Sequence, residues 1–506
     1  MKNIYNGFTF VKALSLNNPN GTKKIEDNLE NNFEEKPFSH AVVELRPIYK
    51  TYIGDFGFDW YRKKDNGHLV GQNYQSCILS GYKNGNSDLT KEEAINRFLD
   101  MYEEYPINLV SRKNKKEREE KNYHVPYISM FSQKTVEEMK LPKDIAQPQH
   151  TIILSALVET VRNVTLKFDY DSAFFTLKPE ILADKSGGKA LGPSKTAEIT
   201  ITCKKDLDSN KEIKIYAYPQ DNKYKKSLAG KIIVLQNDEK SRKSLNIALV
   251  NLKTKINDEE KFGKIETEEI DALRKALYQC LIVPNIFQDN IIFDLTMNDK
   301  FKIITDNTGN KKYGKYILKD INNTSDWLDG GIFHSSDYTD CQDYVKKEYI
   351  IKNKEILKNT FFKNTKSDAD ENYLSKNIFT VFAFGEDSYS TNRTSLDIVK
   401  RHALEGEVKN INENTAMLFN GLDEKRNDAS VLAHEILHGL GLYHTHHVND
   451  KPITEPKILC TFDKNKTDNI MSYKDIVNNK DEKKQTLWRW QWKIANPNIP
   501  SIEKDP

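Results

Sequence analysis

His434 to His447 reads HEILHGLGLYHTHH and carries five of the chain's 11 histidines in fourteen residues. If the stretch begins as a helix, His434 and His438 lie four residues apart and project from one face, one turn apart, where two imidazoles can take adjacent corners of a zinc tetrahedron. Glu435 then sits beside the metal position, where a carboxylate can take a proton from activated water. Asp428 or Ser430 can cap such a helix, and Val431, Leu432, Ile436, Leu437 and Leu440 supply its packed side.

Gly441 and His444 extend the pattern. A helix that continued would carry its next residues away from the metal, whereas a glycine that accepts positive φ ends the helix and brings His444 round as a third ligand. Three histidines with a fourth position open describe a catalytic site and not a closed structural one. The full spacing HExxHxxGxxH should arise by chance in only about 2 in 100,000 chains of this length and composition, so coincidence is a poor account of it. His446 and His447 lack the spacing from Gly441 and read as exposed loop, the alternative being a supporting or substrate-facing role.

The motif resembles that of the metzincin zinc endopeptidases, and the likeness continues in TDNIMSY (467–473). There Met471 resembles the methionine of the family's Met-turn, and Tyr473 resembles the tyrosine that some members place by the zinc. The resemblance implies one catalytic Zn2+ on His434, His438 and His444, with Glu435 as base and Tyr473 assisting at the substrate oxygen. The implied substrate is a protein or peptide, cleaved as an endopeptidase would. NTAMLFN (414–420) stands where the family carries the antiparallel edge strand that binds extended peptide, although an ordinary inner strand would read the same way. Cys460, between the third ligand and the Met-turn, does not match the N-terminal position of a latency cysteine.

Working outward, the 506 residues carry 76 Lys+Arg against 74 Asp+Glu, a net charge of +2, which offers no global pull on nucleic acid or anionic membrane. No window approaches a membrane span, and MKNIYNGFTFVKALSLNN lacks the apolar core of a leader, so synthesis in the cytoplasm without Sec export is expected. The five cysteines are odd in number and scattered, as reduced thiols are.

The expected architecture is multidomain α+β, in three parts. Residues 1–140 form an N-terminal α/β or β-rich domain, in which Thr90 and Glu93 make a capping box ahead of Ile95, Phe98, Leu99 and Tyr102, and Pro106 ends the run. The charge run RKNKKEREEK (112–121) reads as a solvated helix face or loop. Residues 141–240 show period-two alternation (Val164, Leu166, Phe168; Ile199, Ile201, Cys203; Ile213, Ile215, Ala217) that predicts an antiparallel β-sandwich. Residues 245–506 alternate strands with helices and form the metzincin-like α/β catalytic domain. DKNKTD (463–468) reads as a solvated loop, and WRWQW (488–492) as packing of the C-terminal element.

The aromatic and glycine positions of GDFGFDWYRKKDNG (54–67) and YHVPYISMF (123–131) loosely resemble N-terminal regions of type VI secretion-associated proteins that carry toxic C-terminal domains. That likeness implies an effector injected into a target cell, with secretion-apparatus proteins and an immunity protein as partners. The rival expectations are an intracellular zinc peptidase whose front half recruits substrate, and a non-catalytic structural or binding protein of the apparatus.

Overall fold

Alternation of buried and outward side chains builds the front of the computed structural model. The structure describes residues 38–499 apart from 40, 49–50, 62–76, 84–86, 111–117, 161–163, 184–196, 220–225, 257, 289–291, 318–331, 335–339, 364–367, 393–399, 421–427, 447–459, 464–466 and 473–483. A six-stranded sheet runs in the order Ile181–Ala183, Val164–Asp169, Lys211–Pro219, Ser227–Val234, Tyr127–Ser129, Gly57–Asp59. A four-stranded sheet runs Phe175–Lys178, Ala197–Cys203, Thr151–Thr160, Ala41–Pro47. Leu166 and Ile215 from the first and Leu154, Ile201 and Val43 from the second enter one apolar cluster.

Both sheets run across the 140/141 boundary, since Ala41–Pro47 pairs with Thr151–Thr160 (Leu45↔Ala156) and Tyr127–Ser129 pairs with Ser227–Val234. The second of these pairings is parallel, so the six-stranded sheet is mixed where a purely antiparallel one was expected. Two further front-half expectations change. Arg118–His124, which includes the end of the charge run, is a strand paired antiparallel with Glu104–Val110, and Pro106 lies inside that partner and not at a helix end. The helix Lys91–Leu99 has the expected box, Glu93 N donating to Thr90 Oγ1 and Thr90 N to Glu93 Oε2, but ends at Asp100.

The C-terminal sheet has seven strands, with Lys243–Lys255 at its centre flanked by Ile282–Gln288 and Phe379–Ala383, both parallel to it. Leu245, Ile247 and Leu249 face one core while Ala248, Val250 and Leu252 face another, which is why this segment is mainly apolar, with Asn246 and Asn251 inside it, and does not alternate. The helices Thr267–Gln279 and Val431–Gly439 cover the first face. Asp340–Phe361, kinked at Asn353, covers the other.

Thr415–Leu418 lies between Phe379–Ala383, parallel to it, and Gly406–Val408, antiparallel to it (Leu418↔Gly406). NTAMLFN therefore holds an inner strand, and the edge that borders the site helix is Gly406–Val408. The chain is thus mixed α/β with several sheets. No helix among the described residues is long and apolar enough to cross a membrane.

Candidate metal centre

Val431–Gly439 forms a helix because Leu432, Ala433, Ile436 and Leu437 give it a fully buried side, and Asp428 Oδ1 accepts Ser430 N at 2.9 Å to open it. Ser430 occupies the cap position without a side-chain cap bond, so Asp428 carries that part. The helix stops on glycine as its spacing predicts. Leu442 N donates to Leu437 O (3.0 Å) and Gly441 N to His438 O (2.9 Å), the paired bonds of a Schellman end. Gly441 has φ +94, and a Cβ there would stand 2.4 Å from Asn498 Nδ2 and 2.6 Å from Asn412 Oδ1.

Past this turn the chain brings His444 back over the helix. The Nε2 atoms of His434, His438 and His444 form a triangle with sides of 3.0, 3.0 and 3.2 Å. Among the described residues this is the one group of His, Cys, Asp or Glu side chains with metal-ligand geometry. The sides are close to the ~3.3 Å edge of a tetrahedron with metal–nitrogen bonds of about 2.0–2.1 Å.

Hydrogen bonding sets the tautomers. His434 Nδ1 lies 2.8 Å from Ile470 O, and His438 Nδ1 lies 2.7 Å from Leu442 O. A carbonyl oxygen only accepts, so each Nδ1 carries the proton and donates it, and each Nε2 presents a lone pair to the centre. The two Nε2 atoms therefore cannot hydrogen-bond to each other, and a cation between them removes the repulsion. Burial holds both rings neutral: it lowers His434, and together with the neighbouring His434 it pushes His438 down to about 3.

Glu435, one residue after His434 on the helix, is buried, and burial, with Glu407 adding to it, pushes its carboxyl up to about 8. A divalent cation on the histidines would act in the opposite direction. The carboxylate reaches its place because Gly406 leaves room for it: a Cβ at 406 would lie 2.6 Å from Glu435 Cγ and 2.8 Å from Oε1. Sequence reasoning missed Gly406, although a glycine opening a short strand is the available sign of close approach.

Met471 is fully buried in a turn. Its N–H donates to Asn469 Oδ1 (2.9 Å), and its carbonyl accepts Thr445 N (3.0 Å) next to His444. The preceding carbonyl, Ile470 O, is the one that orients His434.

His446 is not an exposed loop residue. It is 3% exposed, with its ring centroid 5.1 Å from that of His444. Cys460 is buried apart from the metal group, its Sγ donating to Ala94 O at 3.3 Å and its thiol pushed up to about 12 by burial. All the tryptophans of WRWQW are buried, Trp488 and Trp490 in a cluster with Phe98 and Phe462, and Trp492 against the C-terminal sheet. Tyr473, His447 and the middle of DKNKTD lie outside the described residues. No known protein family, curated protein or solved structure matches the chain.

Proposed function

We propose that this chain is a zinc-dependent endopeptidase of the metzincin kind. The observation that carries the reading is the convergence of three imidazole Nε2 atoms, two of them from a helix that also carries the buried Glu435 and turns at Gly441 to bring in the third. An all-nitrogen donor set, with the rings of His434 and His438 neutral and oriented, fits Zn2+, held by His434, His438 and His444. When bound, zinc supplies Lewis acidity for a water and for a substrate carbonyl.

The remaining chemistry belongs to the chain. Glu435 accepts the proton from the attacking water on its carboxylate and returns it to the leaving amine. Tyr473, from its place in TDNIMSY, donates a hydrogen bond to the substrate oxygen that gains charge. Phe419 N donates to Glu405 O, so in this antiparallel register Glu405 and Glu407 turn their main-chain groups inward, while Gly406 and Val408 turn theirs to the open edge. That edge supports main-chain pairing with an extended peptide next to Glu435. In the same proposal the two front sheets form a β-sandwich, and delivery by a type VI-like apparatus rests on the resemblance of 54–67 and 123–131 alone.

The test combines metal analysis with cleavage of a peptide library. Wild type and Glu435→Ala are each expected to hold one zinc per chain, with turnover in the variant falling by about 100-fold to 10,000-fold. Cleavage by Glu435→Ala at the wild-type rate, or a wild type that takes up no metal, defeats the reading.

A further inference from the structure

We propose that the front strand Ile78–Lys83 and the helix Lys91–Leu99 position the third metal ligand, so that metal binding through His444 depends on packing supplied from the opposite end of the chain. The inference rests on the metal-site reading above and adds a requirement to it.

The three ligands are not held alike. His434 and His438 stand on a helix whose neighbouring side chains Ala433 and Leu437 are fully buried, and each ring is fixed by a carbonyl. His444 comes after the helix has ended, and the main chain of its neighbour Thr445 is held from two sides. Thr445 N donates to Met471 O (3.0 Å), and Thr445 O accepts Phe462 N (2.7 Å).

Phe462 belongs to the strand Cys460–Phe462, whose partner is in the front half. It pairs antiparallel with Ile78–Lys83 (Cys460↔Gly81, Thr461↔Ser80), and Asp463 N donates to Cys77 O at 2.6 Å. Ile78–Lys83 pairs in turn with Ser87–Leu89. The helix Lys91–Leu99 closes this unit from the other side. Its Ala94 carbonyl accepts Cys460 Sγ, and Phe98, fully buried, meets Phe462 edge-on with centroids 5.7 Å apart. A continuous run of contacts thus leads from Phe98 through Phe462 and Thr445 to the Met-turn and His434. Loosening it at Phe98 should free His444 first and leave the pair on the helix in place.

Cobalt(II) reports the ligand number through its visible spectrum, independently of activity. Wild type, Phe98→Ala, the milder Phe98→Leu, His444→Ala and Phe175→Ala are titrated with Co2+ and then with Zn2+. Phe175 is as buried as Phe98 but lies in the two-sheet core, away from this run of contacts.

Phe98→Ala is expected to bind zinc on the order of 10-fold to 100-fold more weakly and to shift the cobalt spectrum toward that of His444→Ala. Phe98→Leu should fall between it and wild type, and Phe175→Ala should keep the wild-type spectrum. If Phe98→Ala loses its cooperative unfolding transition, Phe98→Leu decides. A wild-type spectrum and affinity in both Phe98 variants, or an equal loss in Phe175→Ala, overturns the positioning role while leaving the metal site intact. Absence of cobalt and zinc binding in wild type defeats the metal-site reading instead.

Discussion

At the scale of single residues, the site depends on places where a side chain would be in the way. Gly441 carries the turn that returns His444, at φ +94 and against the pair Asn412 and Asn498, whose side chains hydrogen-bond to each other at 3.1 Å while Asn498 Nδ2 also holds Leu440 O. Gly441→Ala must place a β-carbon in a backbone region that L-residues avoid and must separate those two amides. The strain alone should lower stability by about 1–3 kcal/mol, measured by denaturant unfolding of chelator-treated protein so that metal binding does not mask it. An alanine variant as stable as wild type would mean that the turn does not need its glycine. HEILHGLGLYH made this glycine legible because the helix, its end and the returning ligand are all encoded within eleven residues. Gly406 was not legible, because the group that excludes its side chain, Glu435, lies in another element.

At the scale of elements, the helix Asp340–Phe361 decides where the edge strand lies. Gln342 Oε1 accepts Lys409 N and its amide donates to Glu407 O, while Lys346 Nζ donates to Asn414 O, Asn414 Oδ1 and Ile378 O. Lys346 is buried, and burial pushes its ammonium from 10.5 down to about 7, against a smaller opposing pull from Asp343 and Glu413. A depressed folded-state value means that the unfolded chain binds the proton more tightly. The penalty is therefore fully present below about 7 and is relieved as pH rises toward 10.5. The unfolding free energy of wild type minus that of Lys346→Met should then climb through this window by up to about 1.4 kcal/mol per pH unit. A flat difference would show that Lys346 keeps its ordinary proton affinity. In the sequence Lys346 looks like any lysine of a Lys-rich stretch, since only its partners reveal which face is covered. For the same reason NTAMLFN could not say whether it was edge or interior. That choice belongs to the three residues of Gly406–Val408 that pair with it.

At the scale of the whole molecule, contacts run from the front half into the C-terminal half, across the boundaries that periodicity suggested. Gln279, fully buried on the helix Thr267–Gln279, donates to Gly54 O (2.9 Å) and Gln485 O (2.8 Å) and accepts Leu487 N (2.9 Å). Asp59 accepts Arg489 N through one oxygen and the Tyr102 hydroxyl through the other. Gly57 lies so close to Trp492 that a Cβ would come within 2.7 Å of its ring. The glycine positions of GDFGFDWY thus have a packing reason, which composition could not disclose because the partner sequence is more than 200 residues away. Residues 245–506 expressed alone would expose Trp488 and Trp490, each worth about 4–6 kcal/mol when a ring of its size is fully buried, and would remove one of the two acceptors of the Gln279 amide, Gly54 O. Losing part of that is comparable to the ~5–15 kcal/mol by which a domain is stable, so the fragment should show no cooperative thermal transition and little slow hydrogen exchange. The full chain should show both. A fragment that melted cooperatively and bound zinc like the full chain would make the front half a separable carrier, and the resemblance to delivery domains would then be its best account. Failure of the fragment to fold would mean that any delivered toxin must travel with its front half attached, because that half completes the body in which the metal site is built.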